Sequence, residues 1–164
     1  MAHVVPDIDY VARLQSLRDS YVVAYPRQRL HIIRQRLDDH HFGPNRLVTL
    51  VSAVEAYARC LALRLRAKKR EDFKKFYPKY RDKGPKALVA ECVKARGVDD
   101  FPSFFGEDNW KLFGYAIDYC NVISHECTYL GLDVFPSLIE ACEVVLSKLE
   151  ELADSRAMIG RGDR

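Results

Sequence analysis

The sequence predicts an all-α fold, an up-and-down bundle of helices, and three observations support this prediction. Apolar residues recur every three or four positions along most of the 164-residue chain, as they do on the buried side of amphipathic helices. No segment shows an alternating pattern long enough to indicate a strand. Glycine and proline separate the periodic segments from one another. The length suits one domain with a substantial core, which we place at residues 1–156, followed by a frayed tail over residues 157–164.

Three helices are predicted in the N-terminal part of the chain. The first covers Asp7–Ala24 and ends before Pro26, because proline disfavours a helical conformation in the residue before it. The second covers Arg27–His40. Pro44 suits a helix start, and a long third helix is predicted over Asn45–Lys68. The apolar part of this helix is slightly short for a membrane span and contains two charged residues, so we expect a core helix and no contact with a membrane.

The C-terminal part continues the helical pattern. A short helix is predicted over Ala87–Arg96, and the phenylalanine-rich segment Val98–Gly106 is predicted to be a loop. The next helix, called the motif helix here, begins near Asp108 and runs to His125. A turn then leads to a last amphipathic helix over Phe135–Leu152, with several glutamates on its solvent side. These helices complete the predicted bundle.

Polar residues line one narrow side of the motif helix, at about 100° per residue. They are Lys111, Gly114, Asp118, Asn121 and His125. Most other positions are apolar or aromatic, so the helix is predicted to be buried on most sides. Buried polar groups need partners, because an unpaired one costs about 1–3 kcal/mol. Two interpretations remain open: the polar side bonds a neighbouring helix inside a monomer core, or it forms a functional site.

The segment Asn121-Val122-Ile123-Ser124-His125 resembles the Asn-x-x-x-His half of the Arg-Asn-x-x-x-His motif of HEPN domains. These are small all-helical domains, and many of them are metal-independent endoribonucleases. The resemblance includes the helix order and an acidic residue, Glu55, on a helix before the motif, and it covers about residues 46–152. It implies a HEPN-like bundle. In one respect the chain departs from the pattern, because Cys120 stands at the position of the family's arginine.

The resemblance implies roles for the motif residues. His125 would take the proton of the RNA 2′-hydroxyl, since imidazole titrates near neutral pH, and Asn121 would orient the imidazole. Asp118 and Glu55 would support these two groups from nearby positions. Active members place the motifs of two protomers across a two-fold axis, which implies a homodimer that acts on RNA without metal or cofactor. A toxin or defence role, with a regulating antitoxin protein, is implied in the same way.

Cysteine cannot replace the motif arginine, because a thiol has neither a positive charge nor a planar fork of donors for a phosphate. Three explanations stay open. The chain is a catalytically weakened family member, another cation such as Arg59 or Lys111 stands in, or Cys120 is a substitution that relieves the toxicity of an active parent. A non-enzymatic alternative is a HEPN-like dimer that acts as an RNA-binding or protein-interaction module. A nucleophilic pair of Cys120 and His125 is disfavoured, because these positions lie about 140° apart around a helix.

Residues 64–86 form a basic block of eleven basic and three acidic residues. Its net charge of +8 leaves −5 for the rest of a chain whose net charge is +3. Four aromatic residues are interleaved with the cations, so the block is predicted to contact phosphates and to stack on unpaired bases. The alternative is a solvated surface whose aromatic residues pack inward. The residues assigned to RNA binding are Lys74, Lys75, Lys79 and Arg81.

Five cysteines are scattered along the chain without a CxxC pair. This favours reduced thiols in a cytoplasmic protein over a disulfide framework. His125 and Cys127 bring two metal-ligand types close together, but a structural zinc site needs about four ligands, so no metal site is predicted. The first residues of the sequence lack the basic region and the apolar core of a signal peptide.

Overall fold

The computed structural model describes residues 19, 22–37, 43–67, 69–126 and 135–159. Within these ranges the chain is predominantly helical and contains no strand, which confirms the predicted all-α class. Seven helices are described there from end to end, and they are numbered in chain order. They are α1 (Pro26–Leu37), α2 (Pro44–Arg66), α3 (Arg70–Arg81), α4 (Pro85–Lys94), α5 (Phe101–Phe105), α6 (Glu107–Glu126) and α7 (Phe135–Ile159).

Two helices occur where no helix was predicted. Helix α5 lies in the segment Val98–Gly106, and the loop prediction there is wrong. Its start is fixed because the Asp100 carboxylate accepts a hydrogen bond from the Ser103 amide at 3.2 Å. Helix α3 lies inside the basic block, and at its start the Asp72 carboxylate accepts a hydrogen bond from the Lys69 amide at 3.2 Å. In both helices a single aspartate satisfies a backbone amide that the first turn leaves unpaired.

The other helices begin and end close to their predicted bounds, with one larger difference. Helix α7 continues to Ile159, seven residues beyond the predicted end at Leu152, so the first residues of the expected tail are helical. Residues 160–164 of that tail lie outside the described residues. So does most of the first predicted helix, Asp7–Ala24, of which Asp19, Val22 and Val23 are described as helical.

Helix α2 lies at the centre of the fold and packs against α1, α3, α4, α6 and α7. This position explains why apolar residues cover most of its circumference rather than a single stripe. Leu47, Leu50, Val54 and Ala58 are fully buried along it, and Leu146 of α7 is fully buried in the same core. The third predicted helix is therefore a core helix, as expected. No helix in the described ranges combines the length and the hydropathy that crossing a membrane requires.

Helix α6 has one buried side and one exposed side. Phe113, Ala116 and Cys120 are buried against the core, whereas Asp118 and Asn121 are exposed to solvent. The expectation that this helix is buried on most sides, with its polar residues inside, is wrong. The apolar residues are numerous enough to cover the inner side and both flanks, so the polar stripe is left facing water. The interpretation in which this stripe bonds a neighbouring helix inside the core is therefore also wrong.

The two sides of α6 predict different costs of substitution for two aromatic residues two positions apart. Phe113 is fully buried, whereas Tyr115 is 48% exposed. We expect Phe113→Ala to lower the free energy of unfolding by about 3–5 kcal/mol, because it leaves a cavity in the core. Tyr115→Ala should change it by no more than about 0.5 kcal/mol. Urea denaturation of both variants at low protein concentration measures the difference, and equal losses would contradict the described orientation of α6.

Candidate functional site

The exposed side of α6 carries the part of the predicted motif that the structure describes. Asp118 and Asn121 are exposed, and neither side chain makes a hydrogen bond or ion pair with another described residue. His125 belongs to the same helix, although its side chain lies outside the description. It follows Asp118 by seven residues, so its backbone lies on the same side of α6. The structure thus places Asp118 and Asn121 in solvent, and the helical period puts position 125 on the same side of α6.

Cys120 lies on the buried side of α6, and its position is about 100° around the helix axis from that of Asn121. Its side chain is 9% exposed. Burial is the largest effect on the Cys120 thiol and raises its pKa. A hydrogen bond with the Ser124 side chain lowers this pKa, and the nearby Glu55 charge raises it, so the pKa as a whole is raised. The thiol is therefore protonated at neutral pH. Cys120 therefore faces the interior of the bundle, not the open edge of α6, and the charge of Glu55 is close enough to act on its thiol.

Glu55 reaches this site from α2, together with Arg59 one turn later. The two side chains form an ion pair, and Arg59 Nε donates a hydrogen bond to the Tyr80 carbonyl oxygen at 3.2 Å. Only 12% of the Arg59 side chain is exposed. This guanidinium therefore ties α2 to the end of α3, and its donors are engaged by protein groups. Of the two cations considered as substitutes for the motif arginine, Lys111 is the exposed one.

Lys86 reaches the same edge of α6 from the first turn of α4, a placement that sequence reasoning missed. Its ammonium group lies 4.9 Å from the centre of the Trp110 ring. A Cβ atom built on Gly114 would lie 2.8 Å from Lys86 Nζ. The available sequence signal was Gly114 itself, because a glycine in a helix interior is unfavourable and indicates a close approach by another group.

The aromatic residues of the basic block pack inward. Phe73 and Tyr80 are buried, and Phe76 and Tyr77 are partly buried, so the first two are unavailable to stack on bases. Burial raises the pKa of Tyr80, and the adjacent Glu91 carboxylate raises it further. The aromatic residues of the block therefore fit the alternative interpretation, in which they pack inward and the basic residues form a solvated surface.

The four block cations assigned to RNA binding are all exposed, but they differ in their partners. Lys74 lies 3.8 Å from an Asp19 carboxylate oxygen, and Arg81 lies 3.1 Å from one of Asp82. Lys75 and Lys79 form no ion pair with a carboxylate of the described residues. Such exposed pairs contribute little to stability, and they neutralise part of the charge that the block presents to a polyanion.

A cavity of about 530 Å³ lies between α1, α2 and α7, on the side of α2 opposite Glu55. Its walls are largely apolar, and its cations take part in packing. Arg64 lies 4.0 Å from the centre of the Tyr25 ring, and Arg96 donates a hydrogen bond to the Leu152 carbonyl oxygen at 2.6 Å. Burial raises the pKa of Tyr57 on the wall. None of the residues predicted for catalysis or RNA binding lines this cavity.

No three metal-ligating side chains converge within the part of the chain that the structure describes. Four of the five cysteines are described, at positions 60, 92, 120 and 142, and all are free thiols in buried positions. Cys127 and its surroundings lie outside the description.

Thiol reactivity tests whether Cys120 has the character of a nucleophile. Burial raises the pKa of Cys60 to about 11 and those of Cys92 and Cys142 to about 12, and it also raises that of Cys120. We expect iodoacetamide at pH 8 to alkylate Cys60, Cys92 and Cys142 at least about tenfold more slowly in the native protein than in urea, since the thiolate fraction falls tenfold per unit of pKa, and to alkylate Cys120 more slowly as well. Peptide mass spectrometry over time gives each rate. Native alkylation of Cys120 at the unfolded rate would contradict its described environment.

Scans against protein-family models, curated proteins and solved structures find no match to this chain. The resemblance to HEPN domains therefore depends on the Asn121–His125 spacing, the helix order and Glu55, as the sequence presents them. What the geometry adds is specific: Asn121 is exposed on α6, the charge of Glu55 is near enough to raise the pKa of Cys120, and Lys86 and Lys111 form no ion pair with a carboxylate of the described residues.

Proposed function

We propose that this protein is a HEPN-like RNA-targeting protein, a metal-independent endoribonuclease of the toxin or defence type that Cys120 has weakened or inactivated. The observation that carries the proposal is the exposed edge of α6, where Asn121 and the position of His125 follow one another on the side that faces solvent. An RNA strand can reach the exposed Asn121 without any rearrangement of the core. The basic block, with exposed Lys75 and Lys79, supplies attraction for the phosphate backbone.

The proposed chemistry uses few groups. His125 takes the proton of a 2′-hydroxyl, the resulting alkoxide attacks the adjacent phosphorus, and the 5′-oxygen leaves with a proton returned by an acid, so that a 2′,3′-cyclic phosphate forms. Asn121 orients the imidazole, and Asp118 lies one turn away on the same edge. The developing charge on the phosphate needs a donor or a cation. Cys120 supplies neither, because its thiol is protonated and buried.

A second copy of the chain would complete the proposed site. The exposed edge of α6 carries Tyr115, one of two large apolar or aromatic side chains that are strongly exposed among the described residues, with Tyr25 as the other. A two-fold contact through α6 would cover Tyr115 and bring the two motif edges together. The toxin-like role would also require a regulating antitoxin protein, which would have to cover or distort this edge.

A non-catalytic HEPN-like dimer that binds RNA or protein is the second candidate. The inward orientation of Cys120 favours it, since the phosphate-binding group of the motif is absent and its position faces Glu55. The two candidates share the dimer; the RNA-binding form of the second differs from the ribonuclease only in turnover, and the protein-binding form differs also in its partner.

Restoring the arginine separates the two candidates. We expect the natural chain to cleave RNA slowly or undetectably in EDTA, and Cys120→Arg to raise the rate by about 10²–10³-fold, which is the usual effect of one phosphate-stabilising donor. The long arginine side chain leaves the buried position next to Glu55 and can extend toward the edge of α6. Gel analysis of one labelled RNA, with detection of 2′,3′-cyclic phosphate ends, measures the gain.

Two further variants make this experiment decisive. Cys120→Arg combined with His125→Ala should lose the gain, because the base is absent. Ser147→Arg adds the same charge at an exposed position of α7 and should leave the rate unchanged. If Cys120→Arg folds, dimerises and remains as silent as the double variant, the ribonuclease proposal fails and the binding-module proposal replaces it.

The dimer has a separate test with a matched pair of tyrosines. We expect light scattering at micromolar concentration to give twice the mass of one chain. Tyr115→Glu should shift the protein toward monomer, because it places a charge in the proposed contact. Tyr25→Glu changes a tyrosine that is 62% exposed on another surface and should leave the dimer intact. A monomer in the natural protein, or equal effects of both substitutions, would count against the contact through α6.

A further inference from the structure

Two lysines on the exposed edge of α6 have surroundings that suit an anion. Lys86 lies across Gly114, where a Cβ atom would be 2.8 Å from its Nζ, and its ammonium group is held 4.9 Å from the centre of the Trp110 ring. Lys111 precedes Gly114 by three residues on the same helix and is exposed. Side chains three residues apart are neighbours on a helix surface. The glycine therefore leaves space for a second cation beside Lys111.

Neither of these ammonium groups forms an ion pair with a carboxylate of the described residues. Three other lysines do: Lys74 pairs with Asp19, Lys83 with Glu91, and Lys148 with Glu151. Two ammonium groups that no described carboxylate pairs with attract an external anion, since their charge is not already neutralised by an ion pair. The contact with the Trp110 ring also orders Lys86, so less side-chain freedom is lost when an anion binds.

We propose that Lys86 and Lys111 bind the phosphate backbone of single-stranded RNA, and that the strand runs along α6 from Gly114 toward Asn121. This inference rests on the proposed function, because it extends the RNA path from the motif residues along the same edge. Gly114 and Asn121 are seven residues apart, a separation of about 10 Å along the helix axis. The two lysines therefore contact a phosphate beside the one at the motif, and they position the strand instead of replacing the missing arginine.

Trp110 provides a direct probe of this site, because it is the only tryptophan in the chain. Its ring is partly buried, faces Lys86 and stacks on Phe105 with centroids 5.3 Å apart. An RNA phosphate that draws Lys86 away from the ring, or a base that approaches it, changes the emission of this residue. RNA bound only to the basic block would leave that emission unchanged.

The experiment titrates the full chain with a labelled single-stranded RNA and records label anisotropy and Trp110 emission at several salt concentrations. We expect the natural protein to bind with a steep salt dependence and with a saturable emission change at the same midpoint. Lys86→Gln with Lys111→Gln should abolish the emission change and reduce the slope of log K against log salt by about 0.7, because one phosphate contact on a single strand contributes about 0.7. Circular dichroism checks that the fold is retained.

Lys94→Gln with Lys148→Gln is the matched control. These lysines also lie near aromatic rings, with Nζ 5.5 Å from the Phe101 centroid and 5.8 Å from the Phe104 centroid, and their removal changes the net charge equally. We expect this variant to keep both the slope and the emission change. An equal loss of slope in the control, or an unchanged slope in the Lys86 and Lys111 variant, would overturn the inference.

Two results distinguish a failure of this inference from a failure of the proposed function. If reversing Lys74, Lys75 and Lys79 to glutamate weakens RNA binding while the Lys86 and Lys111 variant binds normally, the RNA-targeting proposal stands and the path along α6 is wrong. If the folded natural protein binds no single-stranded RNA at low salt, both proposals fail. An emission change that occurs without any change in label anisotropy would also overturn the inference, because it would not report bound RNA.

Discussion

The central position of α2 is the constraint on which the rest of the structure depends. A helix that packs against five neighbours must be apolar around most of its circumference, and α2 meets this demand with Leu47, Leu50, Val54 and Ala58. Each neighbour then needs only one apolar side to bury against it. Helix α6 presents Phe113, Ala116 and Cys120 inward, and its opposite side is free to carry polar residues at no cost to the core.

Two polar side chains of α2, Glu55 and Arg59, connect three parts of the molecule. Glu55 lies close enough to Cys120 for its charge to raise the pKa of the thiol. Arg59 binds Glu55 and the carbonyl at Tyr80, where α3 ends. Because Arg59 is largely buried, these interactions are stronger than those of an exposed pair. One short segment of α2 therefore holds the end of α3 and also sets part of the electrostatic environment of Cys120.

The spacing of apolar residues predicted the helices well where a helix has a clear start signal and a long apolar pattern. The bounds of α2 and α6 agree with prediction because both helices have clear start signals and long apolar patterns. The sequence did not reveal α5, whose five residues are too few to show a period and whose start depends on one aspartate. It also misjudged the exposure of α6, because counting apolar residues around a helix does not show how many neighbours it has. That information depends on the tertiary arrangement.

The candidate site shows the same division between local and tertiary information. Asn121 and the position of His125 were found from their spacing, and Glu55 from the resemblance, since each depends on the order of residues along a helix. Lys86 was not singled out, because it reaches α6 from a different helix and only Gly114 hinted at its approach.

Ion pairs with carboxylates also determine which cations keep a charge that is available to an external anion. Sequence density pointed to the basic block, yet Lys74 and Arg81 there face carboxylates, whereas Lys86 and Lys111 do not. An external anion must compete with an existing carboxylate at the first two, but with none of the described carboxylates at the other two. Lys75 and Lys79 of the block are also without an ion pair to a described carboxylate, so ion pairing divides the block itself and leaves Lys86 and Lys111 as the comparable cations beside α6.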